Sequence, residues 1–343
     1  MSKGGAIRPF VVTLICPFVL VLCRLVKFLY INVAFFVNLQ PHRRDCRRGW
    51  QANAMSDRIE TIVDENMNII GKNVLITGGA SGIGRIMGRI CLEKGAANLI
   101  IWDINRANID ITEAELGHVR PKVKAAAQGH ISSYIVNVAS PEEIALTYEK
   151  VKKEVGQVDI LINCAGIVRG NRTFDKQTIQ DIDLTMDINA NAPMYVALAV
   201  LPDMLKRDSG HICNIASAAG MLGVPKLSVY CASKWAVIGW TESMRVELKQ
   251  AGSHVRVTSV APYFINTGMF DGVNSKVFPI LKPEKTSRKI IRAIEDGKSF
   301  RGIPFAYHFI RIWQGLLPNW LFDFVFGKVF GVYSVMDHFT GRR

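Results

Sequence analysis

The sequence predicts a doubly wound α/β fold, a parallel sheet with helices on both faces. Short β-branched runs alternate with helical patterns from Asn73 through Ser259, the rhythm of strand–helix–strand units. The first run, Asn73–Thr77, leads into the glycine-rich turn Gly78–Gly84 and a helix read over Arg85–Lys94. Further along, Tyr230 and Lys234 stand four residues apart, which on a helix places phenol and ammonium on one face.

Taken in chain order, the first element is not part of the sheet. Residues from Pro9 to Cys23 are almost wholly apolar, Arg24 and Lys27 interrupt, and Phe28 to Leu39 resumes before the basic cluster His42–Arg48. That order predicts a membrane anchor over 1–50, followed by cytoplasmic positive charge. A span needs about 20 apolar residues, so the stretch reads either as one tilted helix or as a shallow hairpin in one leaflet. Residues 51–69 read as a polar linker.

Asn73–Thr77 is short, β-branched and bounded by turn residues, the signature of a buried strand. Glycines after it permit positive φ and let backbone approach a pyrophosphate seated on the next helix's N-terminus. Gly78, Ser81, Gly82, Ile83 and Gly84 are therefore the candidate phosphate cradle, in the strand–turn–helix context that a dinucleotide fingerprint requires. A second strand, Asn98–Trp102, ends at Asp103, whose carboxylate accepts from adenosine ribose hydroxyls and repels a 2′-phosphate. NAD is expected ahead of NADP, with Arg85 and Arg106 near enough in sequence to soften the preference.

Ser217 precedes the Tyr230–Lys234 pair on the same side of the chain's second half. A free tyrosine titrates near about 10, and a fixed positive charge nearby is expected to pull that value down. Tyr230 then serves as acid/base, Lys234 lowers its pKa, and Ser217 positions the reacting oxygen.

These pieces, in this order, resemble the short-chain dehydrogenase/reductase family. Thr77–Gly84 resembles its TGxxxGxG turn, and Asn163-Cys164-Ala165-Gly166 its NxAG element. Asn189 falls where the family keeps an active-site asparagine. Ser217, Tyr230 and Lys234 complete a tetrad, and Pro262 and Thr267 resemble the PGxxxT segment that contacts nicotinamide. The likeness covers roughly residues 70 to 270. It implies a Rossmann-like fold and hydride transfer between a substrate carbon and NAD, with Lys234 also holding the nicotinamide ribose and Asn189 supporting a water relay. It further implies an adenine pocket at Asn137 and Val138, cofactor contacts at Asn163, Ala165 and Gly166, and a homodimer formed through helices starting near Asp187 and Ser228. Three positions depart from the pattern: Tyr263 replaces a glycine, Asn137 an aspartate and Cys164 an asparagine. None removes a tetrad member.

Charge is distributed unevenly. The formal net charge of the 343 residues is +13. The stretch 51–280 is balanced, with 23 basic and 23 acidic side chains, whereas 1–50 carries +7 and 281–343 carries +6. Basic ends suit nucleic acid or an anionic membrane surface. The apolar content beside them favours the membrane and excludes nucleic acid. The sheet is expected to be complete by Ile303, giving a catalytic domain over 70–303. The aromatic stretch from Phe305 to Phe326 then reads as part of a C-terminal segment, 304–343, that serves as a substrate lid or lies on a membrane. A helix capping the sheet edge and a dimer interface are the competing readings.

Seven cysteines without paired spacing indicate a reducing compartment,, and no Cys/His cluster has metal-ligand spacing. Within the family, the whole chain resembles the membrane- and lipid-droplet-associated branch that includes 17-beta-hydroxysteroid and epidermal retinol dehydrogenases and a related retinal reductase. The resemblance implies a lipophilic alcohol as substrate, with the loop Gly268–Pro283 and the C-terminal segment setting specificity. It also implies a place at the endoplasmic reticulum membrane or lipid droplet, the catalytic domain facing the cytosol. An NADPH-linked reductase and a non-catalytic lipid-droplet scaffold are the rival readings.

Overall fold

Seven strands form one wholly parallel sheet, in the order β3-β2-β1-β4-β5-β6-β7. The computed structural model describes residues 67–123, 126–169, 171–275 and 278–341. The anchor expected over 1–50 and nearly all of the linker lie outside the described residues. Among the described residues, no helix is long and apolar enough to cross a membrane.

The strands are β1 Asn73–Thr77, β2 Asn98–Asp103, β3 His130–Ile135, β4 Ile160–Asn163, β5 His211–Ile215, β6 Arg256–Pro262 and β7 Phe300–Ile303. Helices fill the crossovers: α1 Gly82–Glu93, α2 Arg106–Leu116, α3 Pro141–Glu154, α4 Ile179–Met186, α5 Ala192–Lys206, α6 Ser228–Gln250 and α7 Pro283–Glu295. After β7 come the short helices α8 Ile310–Leu316 and α9 Asn319–Phe322.

Strand alternation divides the core into two layers. From β1 and β2, Val74, Ile76, Leu99 and Ile101 face α1 and α7, packing on Met87, Ile90, Ile290 and Ile294. Leu75, Ile100 and Trp102 face the opposite way, against Ile144 of α3, Val196 and Val200 of α5, and Met244 and Leu248 of α6. Both faces of the central strands are buried, so β1 reads NVLIT with no polar alternation, as a parallel strand covered on both sides should,.

The helix after β1 begins at Gly82 rather than at the expected Arg85. Ser81 is still extended (φ −150°, ψ 167°), and the chain turns directly from the glycine loop into the helix. This shortens the path between the C-terminal edge of β1 and the helix end. Because the strand order reverses between β1 and β4, that edge is also the topological switch point, where ligands bind in open α/β sheets.

Candidate active site

The N-terminus of α1 differs from that of α3 in a way that matters for anions. In α3, Pro141 starts the helix, the Ser140 side chain accepts from Glu143 N–H, and Glu142 and Glu143 sit in the first turn. Its end is capped and already negative. In α1, Ser81 makes no side-chain cap bond and the first turn holds no acidic residue. The free N–H groups and the positive end of the helix dipole therefore face the cleft. The turn beside them comes close to the backbone. Gly78 has φ +65°, and a Cβ on Gly84 would lie 2.2 Å from Gly78 O. A pyrophosphate fits such a donor set and such a cradle.

Asp103 closes the far side of the turn. Its Oδ2 accepts from Ala80 N–H (3.1 Å) and its Oδ1 from Asn105 N–H (3.1 Å). Arg85 does not point at the ribose position. Its Nη2 and Nε donate to Ala80 O (2.8 and 3.2 Å), and its Nη1 pairs with Glu115 (3.0 Å). Arg106 is engaged with Asp110 at 2.8 Å. The two cations expected to soften the NAD preference are thus both tied to partners on the protein.

One cleft of about 160 Å³ lies above β1, β4, β5 and β6. It brings together Gly78, Ser81, Gly82, Ile83, Gly84, Ala165, Gly166, Ser217, Tyr230, Lys234, Pro262 and Thr267. Five expected site residues do not line it. Asp103 lies behind the turn, accepting from Ala80 N–H. Asn137 turns its Oδ1 to Ala139 N–H (3.1 Å) at the end of β3, while Val138 packs into the core. Asn163 is buried, donating to Asn214 Oδ1 (2.8 Å) and Pro193 O (3.2 Å), so its side chain ties β4 to β5 and α5.

Asn189 lies in a π-helical turn, Asp187–Asn191, between α4 and α5, and π-turns inside helices recur at functional sites. Its side chain is fully buried and grips Ile167 from both sides, accepting from the N–H (2.8 Å) and donating to the carbonyl (2.9 Å). Asn189 therefore fixes the loop that follows β4, directly behind Gly166.

β5 delivers Ser217 in extended conformation, where its Oγ accepts from Ala219 N–H (3.1 Å) and starts a short 3₁₀ turn. α6 supplies Tyr230 and Lys234. The Lys234 ammonium lies 5.8 Å from the Tyr230 ring centroid and donates to Ile215 O at 3.0 Å. Burial pushes Lys234 down from 10.5 to about 8. Burial also pushes Tyr230 well above the ordinary tyrosine value, with a hydrogen bond to Ser217 acting in the opposite direction.

For the protein alone, burial raises the Tyr230 phenol more than its neighbours lower it. Desolvation is the largest influence on both groups, and one of the three ammonium N–H donors is engaged by the Ile215 carbonyl. The raised phenol has Ser217 as its hydrogen-bond partner.

Lys234 yields a prediction about stability. Its charged form is disfavoured on folding. The cost is full below pH 8 and is relieved as pH rises from about 8 towards 10.5. The gap between those values corresponds to about 3 kcal/mol,. Leaving the Ile215 carbonyl without its donor costs about 1 kcal/mol. Lys234→Met is expected to raise stability by about 2 kcal/mol at pH 7 and to lose that advantage by pH 10. Thermal melts of both proteins across this range check it.

The cleft is also lined by Ile167, Ile215, Ala216 and Ile265, which the sequence did not mark, by Cys164 and Tyr263, two of the three departures from the family pattern, and by Met269 and Phe270 of the loop Gly268–Pro283. Phe270 packs edge-on against Tyr230 at 5.8 Å. Behind it, Val335, Met336 and Phe339 of the C-terminal segment join the same apolar cluster. The usable signal was the position of Met269 and Phe270 directly after Thr267-Gly268.

The family model described as short chain dehydrogenase matches residues 72–277. Epidermal retinol dehydrogenase 2 of Mus musculus is 38% identical over 282 residues, covering 80% of this chain and 87% of that protein. Estradiol 17-beta-dehydrogenase 11 of Mus musculus is 34% identical over 259 residues, covering 75% and 84%. Among solved structures, levodione reductase superposes with a TM-score of 0.61 at 22% identity, covering 68% of this chain and 96% of its own, which is a likeness of fold.

Proposed function

The chain belongs to the short-chain dehydrogenase family and is an oxidoreductase acting on CH–OH groups, and from this premise we propose that it oxidises a lipophilic alcohol with NAD. The retinoid, steroid and fatty-alcohol classes are the candidates, with the aldehyde or ketone as product. One observation carries the reading. Ser217, Tyr230 and Lys234 share a single cleft with an unblocked helix N-terminus on one side and an aromatic wall, Tyr263 and Phe270, on the other.

When bound, the nicotinamide supplies the hydride acceptor; the protein supplies orientation and proton transfer. Gly78, Ser81, Gly82, Ile83 and Gly84 hold the pyrophosphate, and Pro262, Thr267, Ala165 and Gly166 border the nicotinamide end. Ser217 Oγ and Tyr230 Oη hold the substrate hydroxyl between them. Tyr230 accepts that proton in its ionised form, after giving its own proton up towards solvent, and Lys234, pushed down to about 8, exchanges protons with solvent near neutral pH. Asn189 keeps the Ile167 loop in place so that this path stays open. General acid–base work of this kind contributes roughly 10²–10⁴ in rate.

The engagement of Arg85 and Arg106 elsewhere leaves Asp103 as the charge nearest the ribose, which supports NAD over NADP. Asp103→Ser is expected to raise the NADP:NAD ratio of kcat/KM at least about tenfold, an effect of roughly 1.4 kcal/mol. Steady-state rates with both cofactors check it.

Two further proposals follow. Exposed Leu198 and Leu205 on α5, with Trp235 and Val246 on α6, suit a homodimer through these helices. The apolar sequence before His42, together with exposed Trp313, Trp320 and Phe324 after β7, supports attachment to the endoplasmic reticulum membrane or a lipid droplet.

The reading is tested with membranes carrying the full chain and all-trans-retinol, a 17-beta-hydroxysteroid and a long-chain alcohol, each with NAD and NADP. Tyr230-dependent, NAD-linked oxidation of one class is the expected result. Silence with every pair, despite measurable NAD binding, overturns it.

A further inference from the structure

Besides the cleft of about 160 Å³, Ser217 and Tyr230 border a second, much smaller space. An inner chamber of about 30 Å³ touches Ser217 and Tyr230 and is closed by Phe264, Phe270 and Val335. It holds little more than one or two water molecules. A second chamber of about 90 Å³ lies farther out, among Ile310, Trp313, Phe326 and Phe330. Three side chains line both spaces: Leu222, Tyr307 and Val332. Leu222 is 4% exposed and Tyr307 2%. Tyr307 is held between Tyr263 (5.7 Å) and Phe278 (5.6 Å). The two chambers are therefore separated by a wall one side chain thick.

The outer chamber has almost no polar lining. Its only polar side-chain groups are the Tyr307 hydroxyl and the Trp313 indole N–H. It reaches the surface where Trp313 is 40% exposed and where Ala306 is also exposed. Exposed Phe305, Phe309, Ile312 and Leu316 lie on the same short helical segments as Ala306 and Trp313.

We propose that the outer chamber is the binding site for the distal apolar tail of the substrate, and that the Leu222–Tyr307–Val332 wall sets how much tail the enzyme accepts. The inference rests on the alcohol-oxidising reading above. An alcohol held by Ser217 and Tyr230 fills the inner chamber within a few carbons. A longer chain then has an apolar volume directly beyond the wall, unsuited to anything polar,. The mouth at Trp313 opens among apolar side chains, so a lipid can enter or leave there without its tail crossing water.

The test compares hexanol, decanol and hexadecanol in the full-length membrane-bound protein. Ala306→Trp fills the outer chamber from an exposed position, and Leu222→Ala opens the wall. Ala306→Trp is expected to lower the hexadecanol:hexanol ratio of kcat/KM by about tenfold or more, with hexanol and the KM for NAD unchanged. Leu222→Ala is expected to raise the ratio.

Equilibrium binding of the same alcohols, read by Trp313 fluorescence in the unsubstituted and Leu222→Ala proteins and by competition in Ala306→Trp, separates this claim from the catalytic one. Tighter binding of longer chains that disappears in Ala306→Trp supports the tail site even without turnover. A ratio and a binding series both untouched by Ala306→Trp overturn it, whether or not the alcohols are oxidised.

Discussion

Tyr230→Phe is expected to lower kcat by roughly 10²–10⁴ while leaving dinucleotide affinity within about twofold, because only the acid–base term is removed. The ring stays, and with it the edge-on contact to Phe270 and the packing on Leu227 and Met336. Only the hydroxyl goes. Its partner is Ser217, whose Oγ keeps the bond from Ala219 N–H, so the loss of stability is about 1 kcal/mol. Measured together, NAD binding, a thermal melt and turnover separate a chemical defect from a folding one. Normal turnover by the variant removes Tyr230 from the mechanism. In the unsubstituted enzyme, burial holds the phenol neutral through the neutral range. Oxidation is therefore expected to accelerate as pH rises.

Gly84→Ala is the second large effect. A Cβ there would meet Gly78 O at 2.2 Å, Gly78 C at 3.0 Å and Gly79 Cα at 3.1 Å. All three are backbone atoms of the turn that forms the cradle, so no side chain can move aside to relieve the contact. The turn must shift, at a cost of about 1–3 kcal/mol. The free N–H groups of α1 shift with it. Dinucleotide affinity is expected to fall at least about tenfold, or roughly 1.4 kcal/mol. Gly239→Ala is the matched control: the same added methyl group meets nothing within 4 Å and removes a helix-interior glycine, which stabilises by about 0.5–1 kcal/mol. Calorimetry and a dinucleotide titration of the pair check both halves. Equal behaviour of the two variants removes close packing as the reason for glycine at position 84.

The contrast between these residues shows what can be read from the chain before it folds. The glycine turn and Asp103 are legible because their chemistry is local: a strand, a turn and a helix follow one another within a few residues. The first strands of the sheet are legible for the same reason, β1 (NVLIT) and β2 (NLIIWD) announcing themselves by β-branched content, whereas β7 (FRGI) does not. What is not legible depends on who arrives from elsewhere. Arg85 is free on paper, yet it is bound by Ala80 O and Glu115. Asn163 belongs by its motif to the cofactor, yet it is occupied with Asn214 and Pro193.

Lys234 and Tyr230 have the spacing that makes one charge help the other, but spacing does not report desolvation. That depends on Phe270 and on the C-terminal Val335 and Met336 closing over α6. The wall formed by Leu222, Tyr307 and Val332 comes from three distant segments, and no local pattern joins them.

The ribosome releases β1, β2 and β3 in one run, and the dinucleotide turn is complete when α1 emerges. One edge of β1 is then paired with β2 through Asn73 and Asn98, while the other must wait for Val74 to meet Ile160. Until that late partner arrives, β1 presents an open row of peptide groups, the kind of edge that recruits stray strands, and long-range parallel pairing of this sort is slow. The wall made by Ala165 and Gly166 comes with the same late strand. A nascent chain halted before Ile160 therefore has a phosphate cradle with nothing opposite it. Cofactor capture on the ribosome would time the moment at which the two halves of the sheet close, and a surplus of free dinucleotide would favour the closed form by mass action.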